Sequence, residues 1–153
     1  MKAGILTFHW AGNYGAVLQA YALQKFLKSN KVDAEDINYL PSRCIWMLRV
    51  FDVINHRFCK NMAKSMVCKR FVRKWLAVSN QSYHSYVDLK KSATKYEAFI
   101  TGSDQVWNQS FLMTAEKQPT LSYYLDFVPT EKKRLSYAAS FGTNTLQDEI
   151  IKY

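Results

Sequence analysis

Residues 3–27 read AGILTFHWAGNYGAVLQAYALQKFL, and two hydrophobic periods meet within this stretch. Residues 3–8 form a short apolar run, which is typical of a buried strand. Beyond the glycine-containing turn, apolar residues recur every three or four positions, which is the period of an amphipathic helix. Asn13 belongs to the residue types that cap helix N-termini. The stretch therefore predicts a strand followed directly by a helix that begins near Tyr14.

The rest of the chain continues this alternation of strand and helix patterns. Strands are predicted over residues 31–39, 96–101 and 135–141, with a further candidate at 121–127, and an amphipathic helix over 57–76. A strand, a helix and a strand within the first 39 residues match a parallel crossover. The order of elements predicts an α/β fold of Rossmann type with a mostly parallel, doubly wound sheet.

The composition is that of one folded domain. A length of 153 residues suits a single compact domain, and 48% hydrophobic with 22% charged residues excludes an intrinsically disordered chain. No apolar run reaches membrane-spanning length, and no signal-peptide pattern follows Met1. Three cysteines without a C-x-x-C pair indicate neither a disulfide framework nor a zinc site. We expect one domain over residues 1–153 and a cytoplasmic location.

The formal charge of +9 is concentrated in residues 43–74. This segment holds nine Lys or Arg residues and one acid, Asp52, and so carries +8. Such a stretch is either a solvated helix face or a surface for an anionic partner. We expect weak contact with anionic membranes through residues 57–76 and no specific nucleic-acid recognition. The basic residues are also separated in sequence from the segments that directly follow predicted strands.

Three polar segments follow the carboxyl ends of predicted strands and carry the candidate site residues. They read HWAGNYG at 9–15, GSDQVWN at 102–108 and SFGTN at 140–144. Parallel strands end at one edge of their sheet, and ligands bind outside that edge, so the three segments predict one shared site. The candidate residues are His9, Asn13, Tyr14, Gly15, Ser103, Asp104, Gln105, Trp107, Asn108, Ser140 and Gly142.

The residue types in these segments favour sugar and anion binding. Asp104 is the candidate catalytic residue, because a carboxylate beside a sugar hydroxyl can accept its proton. The amides and the aromatic ring that follow it are groups of the kind that hold sugars. A helix that begins near Tyr14 directs free backbone amides toward an anion. A plainer interpretation stays open for each segment: Asn13 and Asp104 as helix caps, and His9 as a polar loop residue with its own partner.

The third segment is also close to a nucleophile elbow, since residues 138–142 read AASFG. In that fold the acid and the histidine follow the serine along the chain, and no histidine lies beyond His84. A serine hydrolase is therefore disfavoured. Ser140 and Gly142 are better interpreted as a strand-end turn where a ligand or a second domain approaches closely.

Taken together, three stretches resemble the polysaccharide pyruvyl transferase family. They are GILTFHWAGNYGAVLQAYAL at 4–23, FITGSDQVWN at 99–108, and YYLDFVP with KRLSYAASFG up to residue 142. The resemblance implies the amino-terminal half of a GT-B-like enzyme with two Rossmann-like domains. It implies transfer of pyruvate from phosphoenolpyruvate to hydroxyls of a cell-surface or exported polysaccharide, as a ketal. It gives residues 13–15, 103–105, 107 and 108 a place in the lining of the cleft.

The resemblance also implies partners. The acceptor would be a sugar or a lipid-linked oligosaccharide, the donor phosphoenolpyruvate, and no further cofactor or metal would be needed. The donor would be held largely by a carboxy-terminal domain outside these residues, so the chain is expected to be truncated and inactive alone. Two alternatives stay open: a GT-B glycosyltransferase that uses a sugar nucleotide, and a non-enzymatic basic module that binds an anionic glycan, a membrane or a nucleic acid.

Overall fold

The computed structural model describes residues 1–41, 58–108 and 121–144, and all elements below fall within these ranges. In chain order they are β1 (Lys2–Leu6), α1 (Tyr14–Ser29), β2 (Asp33–Tyr39), α2 (Phe58–Trp75), β3 (Val78–Tyr83), α3 (Tyr86–Leu89), a 3-10 turn (Lys90–Thr94), β4 (Ala98–Asp104), a second 3-10 turn (Ser122–Tyr124) and β5 (Lys133–Ala139).

The five described strands form one parallel sheet in the order β3-β2-β1-β4-β5. The chain moves outward from β1 through β2 to β3, then returns to the other side of β1 with β4 and β5. The reversal between β1 and β4 is a topological switch point, the place where open α/β sheets bind ligands. The predicted α/β fold of Rossmann type is confirmed, while the two-domain GT-B arrangement stays a prediction.

Both faces of the central strands are covered. Successive side chains of a strand point to opposite faces, and β1 shows this in its packing. Ala3 and Ile5 pack with Leu23 of α1 in one apolar cluster. Leu6 belongs to a second, larger cluster that contains Phe99 of β4 and the aromatic and aliphatic residues of the 121–128 segment. Two layers of side chains therefore enclose the sheet, as the doubly wound pattern requires.

Helix α1 begins where the sequence predicts. The backbone of Asn13 is extended, and its Oδ1 accepts a hydrogen bond of 3.0 Å from the N–H of Gly15, which is an N-cap. The residues that α1 buries are Ala16, Val17, Ala20, Leu23 and Gln24. Leu18 and Phe26 lie exposed, so only part of the predicted apolar pattern faces the sheet. The buried stripe therefore combines two alanines with larger side chains and one buried amide, that of Gln24.

Helix α2 matches the predicted helix within one residue at each end. Cys68 and Leu76 are buried, but Met66, Val67 and Trp75 are about half exposed or more. The predicted helix is present, but not all of its apolar residues face the core. The described helices include none that is long and apolar enough to cross a membrane. Contact between residues 57–76 and an anionic membrane stays a prediction.

One strand was missed by the sequence analysis, and one strand candidate is wrong. The sequence pattern did not indicate β3, because VSNQSY at 78–83 is polar and buries only Ser79 and Tyr83. The candidate strand at 121–127 is instead a 3-10 turn that ends in Leu125 with a φ of 61°. Its alternating residues Tyr123, Leu125 and Phe127 are buried, but they are buried by a turn packed on the sheet.

A buried polar junction ties α1 to β2 and to the residue before β3. Gln24 Nε2 donates to Asp36 Oδ2 and to the backbone oxygen of Ala77, both at 2.8 Å. The N–H of Ala77 donates back to Gln24 Oε1 at 2.9 Å. Burial raises the pKa of Asp36 well above its ordinary value, and the hydrogen bond from Gln24 and the charge of Lys28 offset part of this effect. The junction fixes α1 against the β2 side of the sheet.

Candidate functional site

The segments after β1 and β4 meet at the switch point through a short hydrogen-bond chain. Thr7 Oγ1 donates to the backbone oxygen of Ser103 at 3.1 Å, and Gln19 Nε2 donates to Thr7 Oγ1 at 3.1 Å. The hydroxyl of Ser103 donates in turn to Gln19 Oε1. Gln19 belongs to α1, so this helix orients both loops.

The segments after β4 and β5 are joined by their backbones. The N–H of Ser140 donates to the carbonyl of Asp104 at 3.0 Å, and the N–H of Trp107 donates to the carbonyl of Ser140 at 3.1 Å. Gly102 has a φ of 103°, and a Cβ there would collide with the carbonyl oxygen of Tyr137. A Cβ on Gly142 would collide with the side chain of Gln105. The group close to Gly142 thus belongs to the same domain, whereas the sequence indicated a ligand or a second domain.

Asp104 occupies an unusual backbone position at the end of β4. Its φ is 108°, a region that residues with a side chain rarely adopt and that is often found at functional sites. Its Oδ1 accepts a hydrogen bond of 2.8 Å from the N–H of Gln105. The carboxylate therefore closes a turn at the mouth of the switch point. No helix begins at this turn within residues 104–108, so the helix-cap interpretation is wrong.

Trp107 is the centre of an aromatic wall beside Asp104. Its ring stacks on Tyr124 with centroids 5.5 Å apart and planes 3° from parallel, and it contacts Phe141 at 5.4 Å. Its Nε1 donates to the backbone oxygen of Tyr123 at 3.0 Å. Asn108 Nδ2 donates to Gln105 Oε1 at 3.1 Å. The amide and aromatic groups predicted to hold sugars are thus held in place by one another.

The first segment divides into two parts. Asn13 and Gly15 form the N-cap of α1, which agrees with the plainer interpretation of these residues. Tyr14 is half exposed, and Lys64 Nζ lies 5.4 Å from the centroid of its ring. The substrate-binding role of these three residues stays a prediction.

His9 lies in the loop between β1 and α1, as predicted, and is buried there. Its side chain is only 4% exposed, and within the described residues its Nδ1 has no hydrogen-bond partner. Burial lowers the pKa of His9, and hydrogen bonding to the Asn38 side chain and the Thr7 backbone offsets part of this effect. The imidazole is therefore neutral near pH 7.

A cleft of about 500 Å³ opens between α2 and the carboxyl ends of β1 and β2. His9 and Trp10 line it from the β1 side, and Asn38 lines it from β2. Two basic residues, Lys69 and Arg73, line it from the α2 side. Its apolar wall is formed by Cys68, Val72, Leu76 and other aliphatic residues.

The sequence indicated neither this cleft nor three of its polar residues. Lys69, Arg73 and Asn38 were not candidates, because the basic stretch is distant in sequence from the strand ends. The helix packs beside α1, and its cations line the same cleft as His9. A signal was nonetheless present: Lys69 and Arg73 are four residues apart, and each directly follows an inward-facing residue of the helix, Cys68 or Val72.

The described residues contain no group of three or more His, Cys, Asp or Glu residues that could hold a metal ion. The domain is Rossmann-like, and its polar and basic groups lie at the carboxyl edge of a parallel sheet, as in ligand-binding α/β proteins.

Comparison with known families names the group to which this domain belongs. The family model described as polysaccharide pyruvyl transferase matches residues 13–153, which is well over half of the chain. The chain therefore belongs to the polysaccharide pyruvyl transferase family. No curated protein and no solved structure matches it significantly.

Proposed function

We propose that the protein takes part in the transfer of pyruvate from phosphoenolpyruvate to two hydroxyls of a polysaccharide sugar, which forms a ketal. Both hydroxyl oxygens bond to C2 of phosphoenolpyruvate. Its C3 gains one hydroxyl proton and becomes a methyl group, and inorganic phosphate leaves with the other. The single observation that carries this proposal is the family match over residues 13–153, since the fold alone is shared by many activities.

In this proposal the acceptor sugar lies along the loops after β4 and β5. Asp104 ends β4 near the switch point, at a φ of 108° that residues with a side chain rarely adopt. A carboxylate in that position can accept the hydroxyl proton as the oxygen attacks. Trp107 and the amides of Gln105 and Asn108 provide the aromatic and polar surface that a sugar needs. The acceptor class is a sugar or a lipid-linked oligosaccharide.

The donor, phosphoenolpyruvate, would bind between this domain and a second one. The resemblance to the family implies a second Rossmann-like domain that faces this one, with phosphoenolpyruvate between the two. Much of the rate of such a reaction comes from orienting two substrates together, for which effective molarities of about 10⁵–10⁸ M are known. We therefore expect residues 1–153 alone to show no pyruvyl transfer.

The test is an assay of the full-length protein with two donors. Phosphoenolpyruvate and a sugar nucleotide are each supplied with oligosaccharide acceptors, and the products are followed by phosphate release and by mass spectrometry. The proposal expects a product heavier by one pyruvyl ketal and only with phosphoenolpyruvate. Transfer of a sugar from the nucleotide, with no reaction of phosphoenolpyruvate, would establish the glycosyltransferase alternative instead.

A further inference from the structure

We propose that the cleft between α2 and the carboxyl ends of β1 and β2 is a binding site for a phosphate group carried by a substrate. Phosphate binding there does not depend on the reaction that follows. The identity of the phosphate carrier rests on the proposed function, which offers two: phosphoenolpyruvate and a phosphate-linked acceptor.

The charge in the cleft is positive and lacks a counter-charge. Lys69 and Arg73 are one helical turn apart on α2, and both line the cleft. Neither forms an ion pair with a carboxylate among the residues that the structure describes; the ion pairs found there join Lys2 to Glu35 and Lys91 to Asp88. A planar guanidinium and an ammonium side by side are well matched to the oxygens of a phosphate.

Two buried ring nitrogens supply an independent observation. His9 Nδ1 and Trp10 Nε1 are inaccessible to solvent and have no hydrogen-bond partner in the described part of the chain, and both residues line the cleft. Buried polar atoms without partners are costly and rare in folded proteins. A small rotation of either ring toward the cleft would give its nitrogen a ligand partner there.

The chemistry of these nitrogens narrows the ligand. An indole N–H only donates, so Trp10 requires an acceptor such as a phosphate oxygen. A neutral imidazole has one donor and one acceptor nitrogen, so His9 can accept a proton from a hydroxyl of the same ligand. A phosphate ester that also carries hydroxyls, such as a sugar phosphate, satisfies the whole set.

The size and the wall of the cleft agree with such a ligand. Its volume of about 500 Å³ lies within the range of about 300–1,000 Å³ found for small-molecule sites, and it exceeds the need of a free ion. The apolar wall that includes Val72 and Leu76 lowers the local dielectric, which strengthens the attraction between the cations and a phosphate. The residue 9–12 segment borders both the cleft and the start of α1, so a bound phosphate ester would extend toward the switch point.

The test measures binding, without turnover, to the full-length protein by calorimetry. The probes are inorganic phosphate, phosphoenolpyruvate and glucose 1-phosphate. Arg73→Ala and Lys69→Ala each remove a cation of the cleft. Arg70→Ala is the matched control, because Arg70 is exposed on the same helix and does not line the cleft. Trp10→Phe removes the indole N–H and keeps an aromatic ring.

We expect at least one phosphate ester to bind and Arg73→Ala to weaken its binding about 10- to 100-fold, as loss of a charge-assisted hydrogen bond does. Arg70→Ala should change binding by less than about twofold, since Arg70 is as exposed as Arg73 but does not line the cleft. The tighter of the two esters identifies the source of the phosphate. The proposal is overturned if no probe binds at millimolar concentration, or if Arg70→Ala and Arg73→Ala weaken binding equally. Thermal unfolding of each variant confirms that it is folded.

The result separates this proposal from the proposed function. If the cleft binds a phosphate ester and no ketal forms with any acceptor, the site stands and pyruvyl transfer is wrong. If ketal formation and substrate affinity are both unchanged by Arg73→Ala, the activity stands and the site is wrong.

Discussion

The two sides of the sheet edge hold polar groups in opposite states. On the β4 and β5 side, the Trp107 indole, the Asn108 amide and the Asp104 carboxylate each have a partner within the domain. On the β1 and β2 side, Nδ1 of His9 and Nε1 of Trp10 have none within the described residues, and two cations of α2 line the same cleft.

Groups with a hydrogen-bond partner inside the domain stabilise the loops, whereas groups without one are available to bind a ligand. Partnered groups fix the conformation of the loops, so their removal should lower the free energy of unfolding. Unpartnered buried groups are already a cost to the free protein, so their removal should lower ligand binding more than stability. Each of the following experiments tests this distinction.

The largest effect is expected at Asp104, which belongs to the partnered side and is also the proposed base. Asp104→Asn keeps an oxygen for the N–H of Gln105 but removes the basicity of the carboxylate. Turnover of the full-length protein should fall by about 10²–10⁴, with little change in stability. Asp33→Asn, at the exposed start of β2, is the control. Normal turnover by Asp104→Asn would leave this carboxylate with a purely structural role.

The next effect concerns the backbone of the partnered side. Gly102→Ala places a methyl group against the carbonyl oxygen of Tyr137, at a φ of 103° that alanine avoids. The free energy of unfolding should fall by about 3 kcal/mol or more, as measured by urea denaturation. At Gly15 the added Cβ would have only one neighbour, Asn13 Oδ1 at 3.6 Å, so Gly15→Ala is the matched control. Equal stability of the two variants would show that β4 and β5 can separate without loss.

The most direct comparison uses the two tryptophans. Trp107→Phe removes a hydrogen bond to the carbonyl of Tyr123, whereas Trp10→Phe removes an N–H that has no partner in the described residues. Both variants lose a similar ring area. We expect Trp107→Phe to be less stable than Trp10→Phe by about 1 kcal/mol in urea unfolding. If Trp10→Phe were the less stable variant, the distinction between a partnered β4–β5 side and an unpartnered β1–β2 side would be wrong.

The smallest effect is a pH dependence that originates at His9. Because its folded pKa is lowered, the unfolded chain binds a proton more readily than the folded protein below about pH 6.5. Stability should therefore fall as the pH drops from about 6.5 toward the folded pKa, by at most about 1.4 kcal/mol per pH unit. His9→Asn should remove this contribution. An unchanged slope in urea titrations from pH 7.5 to 5 would place His9 in contact with water.

Features that depend on neighbouring residues could be predicted from the sequence. The start of α1 follows from Asn13 and the glycines beside it, since the cap hydrogen bond spans only two residues. The meeting of the 102–108 and 140–144 segments follows from strand order, because neighbouring parallel strands end at one edge. The hydrogen bonds from Asn108 to Gln105 and from Gln105 to Asp104 also join residues close in sequence.

Features that depend on the path of the chain could not be predicted. Lys69 and His9 line one cleft only because of the path that the chain takes between β2 and β3, and spacing within the helix does not show which turn approaches the edge. β3 could not be recognised from a hydrophobic pattern, because this edge strand buries few residues. The alternation at 121–127 resembles a strand, but the segment is a turn that also buries Ser122 and Val128, next to Tyr123 and Phe127.

The side-chain amide of Gln24 forms the pair of hydrogen bonds with the Ala77 backbone that a peptide group of a neighbouring strand would form. Its Nε2 donates to the Ala77 carbonyl and its Oε1 accepts the Ala77 N–H, while the N–H of Asp36 shares that carbonyl. A backbone proton is therefore shielded by a residue of α1 and not by a neighbouring strand. Deuterium exchange at Ala77 would report the undocking of α1 from the sheet separately from the fraying of β3.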